Sequence, residues 1–253
     1  MSLEPQRYTR IETMAVREIL QHARGGRLRV PDFQRPPRWK GRNVLELFDS
    51  MQKGYPIGTL LLGQRQAGPG LGTFGRVQIA GAAMPDALFV VDGQQRIAAM
   101  VGALLHPEPE PRGDVHAIWY DLDAGEFVHR RGALSPLHVP LRALGDPQAT
   151  YAWVDQWSLR KERGDLVPKV FGLATALLEF RVSVAIVHGD EEDRLREIFK
   201  RLNNTGVRMQ STEVFNALFR PLPQGDLKVA AAQVSGLGYG SVSQDTFLRC
   251  MLA

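Results

Sequence analysis

Five residues, Asp92-Gly93-Gln94-Gln95-Arg96, stand between an apolar run at 88–91 and a run of apolar and small residues at 97–105. The first run has the length and composition of a buried strand, and the second reads as a helix with a nearly continuous apolar face. A strand that turns directly into a helix leaves the first helical N–H groups without backbone partners. Those donors, together with the helix dipole, favour a bound anion. Gly93 in the turn admits close approach of a ligand. Gln94 and Gln95 carry amides that can orient water or phosphate oxygens. Arg96 can neutralise charge on a phosphoryl group, as arginine does in phosphoryl transfer. Asp92 can hold a metal ion or position a water. The same five residues also fit a purely structural turn, with Asp92 as a cap and Arg96 as an exposed first-turn residue.

Two other segments combine chemistry-bearing residues. Pro31-Asp32-Phe33-Gln34-Arg35-Pro36-Pro37-Arg38-Trp39-Lys40 sets aromatic, amide and basic groups on a proline-stiffened backbone. Such a mixture suits phosphate contact with base stacking, or a connector whose Phe33 and Trp39 plug the core. Lys200-Arg201-Leu202-Asn203-Asn204-Thr205-Gly206 ends a helical pattern in a polar loop. Asn and Gly are also ordinary helix terminators. Other chemistries lack their residues. No GxxxxGK[ST] loop, HExxH pair or Gly-x-Ser-x-Gly elbow occurs, and the six histidines are scattered. Cys250 is the only cysteine, which excludes an internal disulfide and a cysteine-based zinc site.

The elements that must position these groups follow from periodicity. Residues 9–26 carry apolar side chains at helical spacing, with Thr13 as the expected cap and Gly25-Gly26 as the stop. Residues 28–30 read as a short strand, 43–54 as an amphipathic helix stopped by Gly54, and 59–64 as an apolar strand. The Gly-, Ala- and Pro-rich stretch 65–87 reads as a long hairpin or loop around a strand at 76–79. Residues 116–130 read as a hairpin about Asp123-Ala124-Gly125. Residues 139–180 read as mostly helical, 180–188 as a strand, and 190–202 and 211–219 as helices. The chain stops inside another apolar helical pattern, DTFLRCMLA, which predicts a fragment of a longer protein.

The chain has 253 residues, 44% of them hydrophobic and 23% charged, enough apolar material for a sizeable core. No apolar run of membrane-spanning length and no signal-peptide pattern is present, so the expectation is a cytoplasmic protein. Residues 1–42 hold ten basic side chains against four acids, a net +6, although the whole chain is only +4. Arginine outnumbers lysine 25 to 6, and its planar fork suits phosphates. Arg24, Arg27 and Arg29, with Arg35 and Arg38, are expected to form a basic face.

VPDFQRPPRWK, LFDSMQKGYPIGTLLL, VVDGQQRIAAMVGALL and IFKRLNNTGVRMQSTEVFNALF occur in this order. Together they resemble the DUF262 family, the N-terminal domain of GmrSD-type modification-dependent restriction proteins, from about residue 15 to 220. The resemblance implies an α/β (α+β) fold with a ParB/sulfiredoxin-like mixed-sheet core and added helical segments. The core is expected over residues 1–135. A mainly helical extension over 136–253 would return one strand, 180–188, to it. In that superfamily a strand–Gly-x-x-Arg–helix turn is a nucleotide-phosphate site, here Gly93-Gln94-Gln95-Arg96. The family often has Thr after DGQQR, where Ile97-Ala98-Ala99 stand here, and an aromatic after FQR, where Pro36 stands.

The resemblance further implies antiphage defence: sensing of modified DNA, including phosphorothioate DNA, coupled to NTP (GTP or ATP) hydrolysis. A nuclease in a C-terminal domain or partner chain would make the cut. On this sequence the catalytic candidates are Asp92, Gln95 and Arg96. Nucleotide contacts are expected from Gly93, Gln94, Gln95, Arg96, Asn203, Asn204 and Thr205, with Mg2+ at Asp92. DNA contacts are expected from Phe33, Gln34, Arg35, Arg38 and Trp39. Pro31, Phe33 and Pro36 would wall a sulfur, with Gln34 and Arg35 donating to the remaining oxygens. A non-catalytic modified-DNA-binding module and a ParB-like DNA nuclease stay open as alternatives.

Overall fold

Three leucines in a row, Leu60, Leu61 and Leu62, are all buried, which a strand allows only when both its faces are covered. The computed structural model describes residues 9–30, 39–107, 113–129 and 133–188. In chain order these form β1 (Thr9–Ala15), α1 (Val16–Arg24), β2 (Leu28–Arg29), α2 (Gly41–Gln52), β3 (Leu60–Ala67), β4 (Gly70–Phe74), β5 (Val77–Gly81) and β6 (Met84–Asp92). There follow α3 (Gln94–Leu104), β7 (Ile118–Asp121), β8 (Glu126–His129), β9 (His138–Pro140), α4 (Pro147–Gln156), α5 (Val167–Leu178) and β10 (Arg181–His188).

The leucine strand β3 lies in the middle of a five-stranded sheet of order β1-β10-β3-β6-β2. It runs parallel to β10 and antiparallel to β6, and β2 joins β6 in parallel. The mixed sheet with its helices bears out the expected α+β class. Two small sheets flank it, the hairpin β4–β5 and the sheet β8-β7-β9. Residues Ile11–Gly189 form one compact unit. Its core joins Phe48, Leu88 and Met100 to Leu141, Val154, Leu177 and Val184, so the unit runs through position 135.

The helix α3 has no exposed face beyond its first turn: Ile97 through Leu104 are all buried. Burying each large apolar side chain contributes about 1.5–3 kcal/mol, so this helix is fixed by the core rather than by helix propensity. Its small residues allow close packing, since a Cβ on Gly102 would meet the His116 ring at 2.9 Å.

Two expectations change. Residues 9–15 are strand rather than helix, and α1 begins at Val16. The Ala15 N–H donates to the Glu18 carboxylate at 3.0 Å, so the cap comes from inside the helix and Thr13 has no part in it. Helical spacing and sheet pairing compete over such a short stretch, and pairing at the sheet edge prevails. The stretch 65–87 contains a hairpin, β4–β5, as one of the two expected forms, with a strand at Val77–Gly81, but the rest of it is mostly strand rather than loop: the end of β3 and the start of β6. Gly75, at φ +62°, makes the tight β4–β5 turn, and glycine-rich composition concealed the alternation of Phe74, Val77 and Ile79. The hairpin β7–β8, the helix α2, the mostly helical 139–180 and the strand β10 match the sequence reading. The helices expected at 190–202 and 211–219 lie outside the described residues.

Candidate phosphate-binding turn

The site is prepared by an irregularity in the sheet. Leu62 of β3 pairs with Val90 of β6, but Leu61 pairs with Asp92, leaving Val91 as an extra residue. Such a bulge bends a strand and re-aims the side chains beyond it. Here it delivers Asp92 to the surface, with its side chain 62% exposed. Gly93 follows at φ +90° as the N-cap of α3, with no side chain capping the helix. That backbone region favours glycine, and a Cβ would also lie 2.4 Å from Leu60 Cδ2. The first helical bond is donated by the Ile97 N–H to the Gly93 carbonyl at 3.0 Å. The N–H groups of Gln94, Gln95 and Arg96 precede it and have no acceptor within the helix.

Arg96 is not the exposed residue of the purely structural reading. Its side chain is 17% exposed. Nη1 donates to the Ile57 carbonyl at 2.8 Å, and Nη2 to Asp92 Oδ2 at 3.4 Å. Burial lowers its pKa below the usual arginine value, and the Asp92 charge acts in the opposite direction. The guanidinium stays charged at neutral pH. It therefore ties the first turn of α3 to the loop that leads into β3, and holds a positive charge beside the Asp92 carboxylate.

Gln95 faces another way. Its Oε1 accepts the Trp39 backbone N–H at 2.9 Å. Trp39 is partly buried and packs against the core. The DGQQR turn and the end of the PDFQRPPRWK segment thus touch, although 56 residues separate the bonded pair. Phe33, Gln34, Arg35 and Arg38 lie outside the described residues, as do Asn203, Asn204 and Thr205.

The expected basic face is lost at Arg29 and partly neutralised at Arg24 and Arg27. Arg24 pairs with Asp146 at 3.0 Å, and Arg27 with Asp86 at 2.7 Å. Arg29 is buried, donating to the carbonyls of Gly70 at 3.0 Å and Ala82 at 2.9 Å. Arg17 is bonded to Glu179 and Arg42 to Glu46. Except for Glu46, four residues from Arg42, the acids come from distant segments, so local charge counting overstated the field of residues 1–42.

The sequence reading missed Ile57 and Gly58. Gly58 sits at φ +83°, and a Cβ there would lie 2.7 Å from Arg96 Nη1. The signal was present in Gly54-Tyr55-Pro56-Ile57-Gly58, two glycines around a proline, but nothing local joined it to Arg96. A second missed cluster lies beyond the other end of α3. Asp114 Oδ2 accepts from Arg76 at 2.8 Å and lies 3.2 Å from His106 Nε2. Its Oδ1 accepts the His116 N–H at 2.9 Å. Burial pushes the Asp114 carboxyl up, but the His116 N–H and the His106 ring outweigh it and hold it below its usual range. Burial pushes His116 below 6.5, against the pull of Asp114.

Among the described residues no group of three or more His, Cys, Asp or Glu side chains is arranged to hold a metal. One exposed carboxylate, Asp92, still fits Mg2+ bound mainly through substrate phosphates and water. No helix among the described residues is long and apolar enough to cross a membrane.

The family model for the GmrSD restriction endonuclease, N-terminal domain, matches residues 16–220. An uncharacterized protein of Methanocaldococcus jannaschii is 22% identical over 249 residues, covering 82% of this chain and 42% of its own length. The chain thus spans less than half of that relative.

Proposed function

The chain belongs to the family of GmrSD restriction endonuclease N-terminal domains, and from that premise we propose that it is the nucleotide-binding, NTP-hydrolysing sensor of a DNA-modification-dependent restriction system. The observation that carries this reading is the uncapped N-terminus of α3, entered through Gly93 in a left-handed conformation. The N–H groups of Gln94, Gln95 and Arg96 would cradle a terminal phosphate. The Arg96 charge would stabilise the negative charge that grows on the phosphoryl oxygens. Its bond to Ile57 supports a fixed cation, which needs no reorganisation during reaction. Asp92, exposed beside it, would position the attacking water. It would also supply a ligand to Mg2+, whose chemistry when bound is charge neutralisation on the phosphates. Asn203, Asn204 and Thr205 remain proposed contacts to the nucleotide.

DNA would be met by the segment containing Phe33, Gln34, Arg35 and Arg38. For phosphorothioate DNA, net charge barely changes, so discrimination requires an apolar wall against the sulfur. Pro31, Phe33 and Pro36 have that character. The bond from Trp39 to Gln95 supports coupling between this segment and the phosphate turn.

A second reading, a binding module without turnover, is favoured by the bonds that occupy the Arg96 guanidinium. The deciding measurement is phosphate release from ATP and GTP, with and without modified DNA. Turnover without DNA cleavage supports the proposal. Nucleotide or DNA binding without turnover supports the module. Metal-dependent nicking of DNA in the absence of NTP overturns both.

A further inference from the structure

We propose that an open cavity of about 390 Å³ at the C-terminal end of α3 binds a small amphiphile with an anionic head, a carboxylate or phosphate on an aliphatic body. The proposal is independent of the nucleotide reading, which concerns the other end of the helix. Small-molecule sites of this size set a few placed polar groups in a largely apolar wall. Here the wall is aliphatic: Val77 and Ile79 from β5, Leu104 from the last turn of α3 and Leu105 just beyond it. Its polar side chains are Arg24 at the end of α1, Arg142 in the 3-10 turn Leu141–Leu144, and His106. Among the described residues no carboxylate lines the cavity.

His106 is engaged within the protein. Its side chain is 1% exposed, with Nδ1 2.8 Å from the Pro107 carbonyl and Nε2 3.2 Å from Asp114 Oδ2. The two arginines therefore meet the ligand, and each guanidinium has five N–H donors, so a bond to the protein leaves others to offer. An arginine in a last turn commonly serves the helix's own end carbonyls, but Arg24 does not. The carbonyls of Gln21, His22 and Ala23 accept the N–H groups of Gly25, Arg27 and Gly26 at 2.9, 2.9 and 2.8 Å. Arg24 Nη1 is bonded instead to Asp146 at 3.0 Å. Asp146 is itself fixed as the N-cap of α4, accepting the Gln148 N–H at 2.8 Å. The Arg24 head is thus held at the cavity with its side chain 46% exposed, and a ligand that meets it orders little that is not ordered already. The pairing of fixed cation and aliphatic wall selects the ligand. A nucleobase would bury its polar edge against valine, isoleucine and leucine without partners, which is costly. A hydrocarbon body gains from the same contact, and a carboxylate or phosphate matches the guanidinium fork.

The test separates head from body. Octanoate, octyl phosphate, octylammonium and acetate are titrated by calorimetry into the full chain, as parent, Arg24→Gln and Arg142→Gln. Octanoate and octyl phosphate should bind, the tighter of the two naming the head. Octylammonium has the same body with the opposite charge, and acetate has the head alone, so both should bind more weakly. Each arginine variant should weaken the two long anions at least about tenfold, the loss of one hydrogen bond to a charged partner, while thermal unfolding shows it folded. Excess ATP should not displace octanoate. The proposal is overturned if octylammonium or acetate binds as well as octanoate, if both folded variants bind like the parent, if ATP displaces octanoate, or if the parent binds neither long anion. The comparison among ligands uses the parent alone, so it decides the matter even where a variant fails to fold.

Discussion

The Trp39 backbone N–H donates to Gln95 Oε1 at 2.9 Å, joining the end of the Arg- and aromatic-rich segment to the first turn of α3. A side chain expected to orient water or phosphate is thus engaged with the protein's own backbone. The bond is testable without any ligand. Gln95→Leu leaves the Trp39 N–H without this acceptor, and a part-buried unsatisfied donor costs about 1–3 kcal/mol. Gln95→Glu keeps an acceptor and should cost less. Urea unfolding of the two variants gives the comparison, and equal midpoints would show that the bond contributes nothing.

Arg96→Ala should act twice. It leaves the Ile57 carbonyl without its donor, lowering stability by about 1–3 kcal/mol. If Arg96 also stabilises the transition state, NTP turnover falls at least about 10³-fold, by analogy with arginine fingers. Thermal unfolding and phosphate release should be read on the same preparation below its melting temperature. Full turnover in a folded variant would remove Arg96 from the mechanism and leave it the loop-holding role.

Gly58→Ala should destabilise the protein by about 1–3 kcal/mol, the cost of holding a non-glycine residue in an unfavourable backbone region. The added Cβ would also crowd Arg96 Nη1. Gly172→Ala is the opposite case. Gly172 is exposed inside α5 with nothing within 4 Å of a new Cβ, so the change should stabilise by about 0.5–1 kcal/mol. Denaturant midpoints of opposite sign are the expected outcome.

The buried His116 makes stability depend on pH. Its folded pKa lies below 6.5, so the unfolded chain takes up a proton first as pH falls. The contribution is complete above about pH 6.5 and is lost as pH falls through the lower folded value. Asp114, held below 3.8, adds a second loss, setting in near pH 3.8 and completed through its own folded value. His116→Leu should flatten the slope that sets in as pH falls below about 6.5, whatever it does to absolute stability. A parent whose stability is constant over that fall would contradict the argument.

The arginine pairs predict an unequal DNA response. Arg24→Ala and Arg27→Ala remove charges already engaged by Asp146 and Asp86, so the salt dependence of DNA binding should hardly move. Arg35→Ala and Arg38→Ala, at the proposed phosphate contacts, should each lower the slope by about 1. Slopes that fall equally for all four would restore the wider basic face.

What the sequence determined by itself is local. The strand, glycine turn and helix around residue 93 were legible because a buried strand, a breaker and an apolar helix leave contiguous patterns. The hairpin about residues 123–125 was legible for the same reason. Tertiary structure decided what distant segments offer each other. Whether residues 9–15 became strand depended on their place beside β10 in the sheet. Whether Arg27 and Arg29 faced solvent depended on an aspartate 59 residues away and carbonyls 41 and 53 residues away. Arg96 reads as a free cation until Ile57, 39 residues earlier, is brought beneath it. Charge and polarity are written in single residues, but their satisfaction is a property of pairs. Pairs distant in the chain meet only once the sheet register and the helix packing are set.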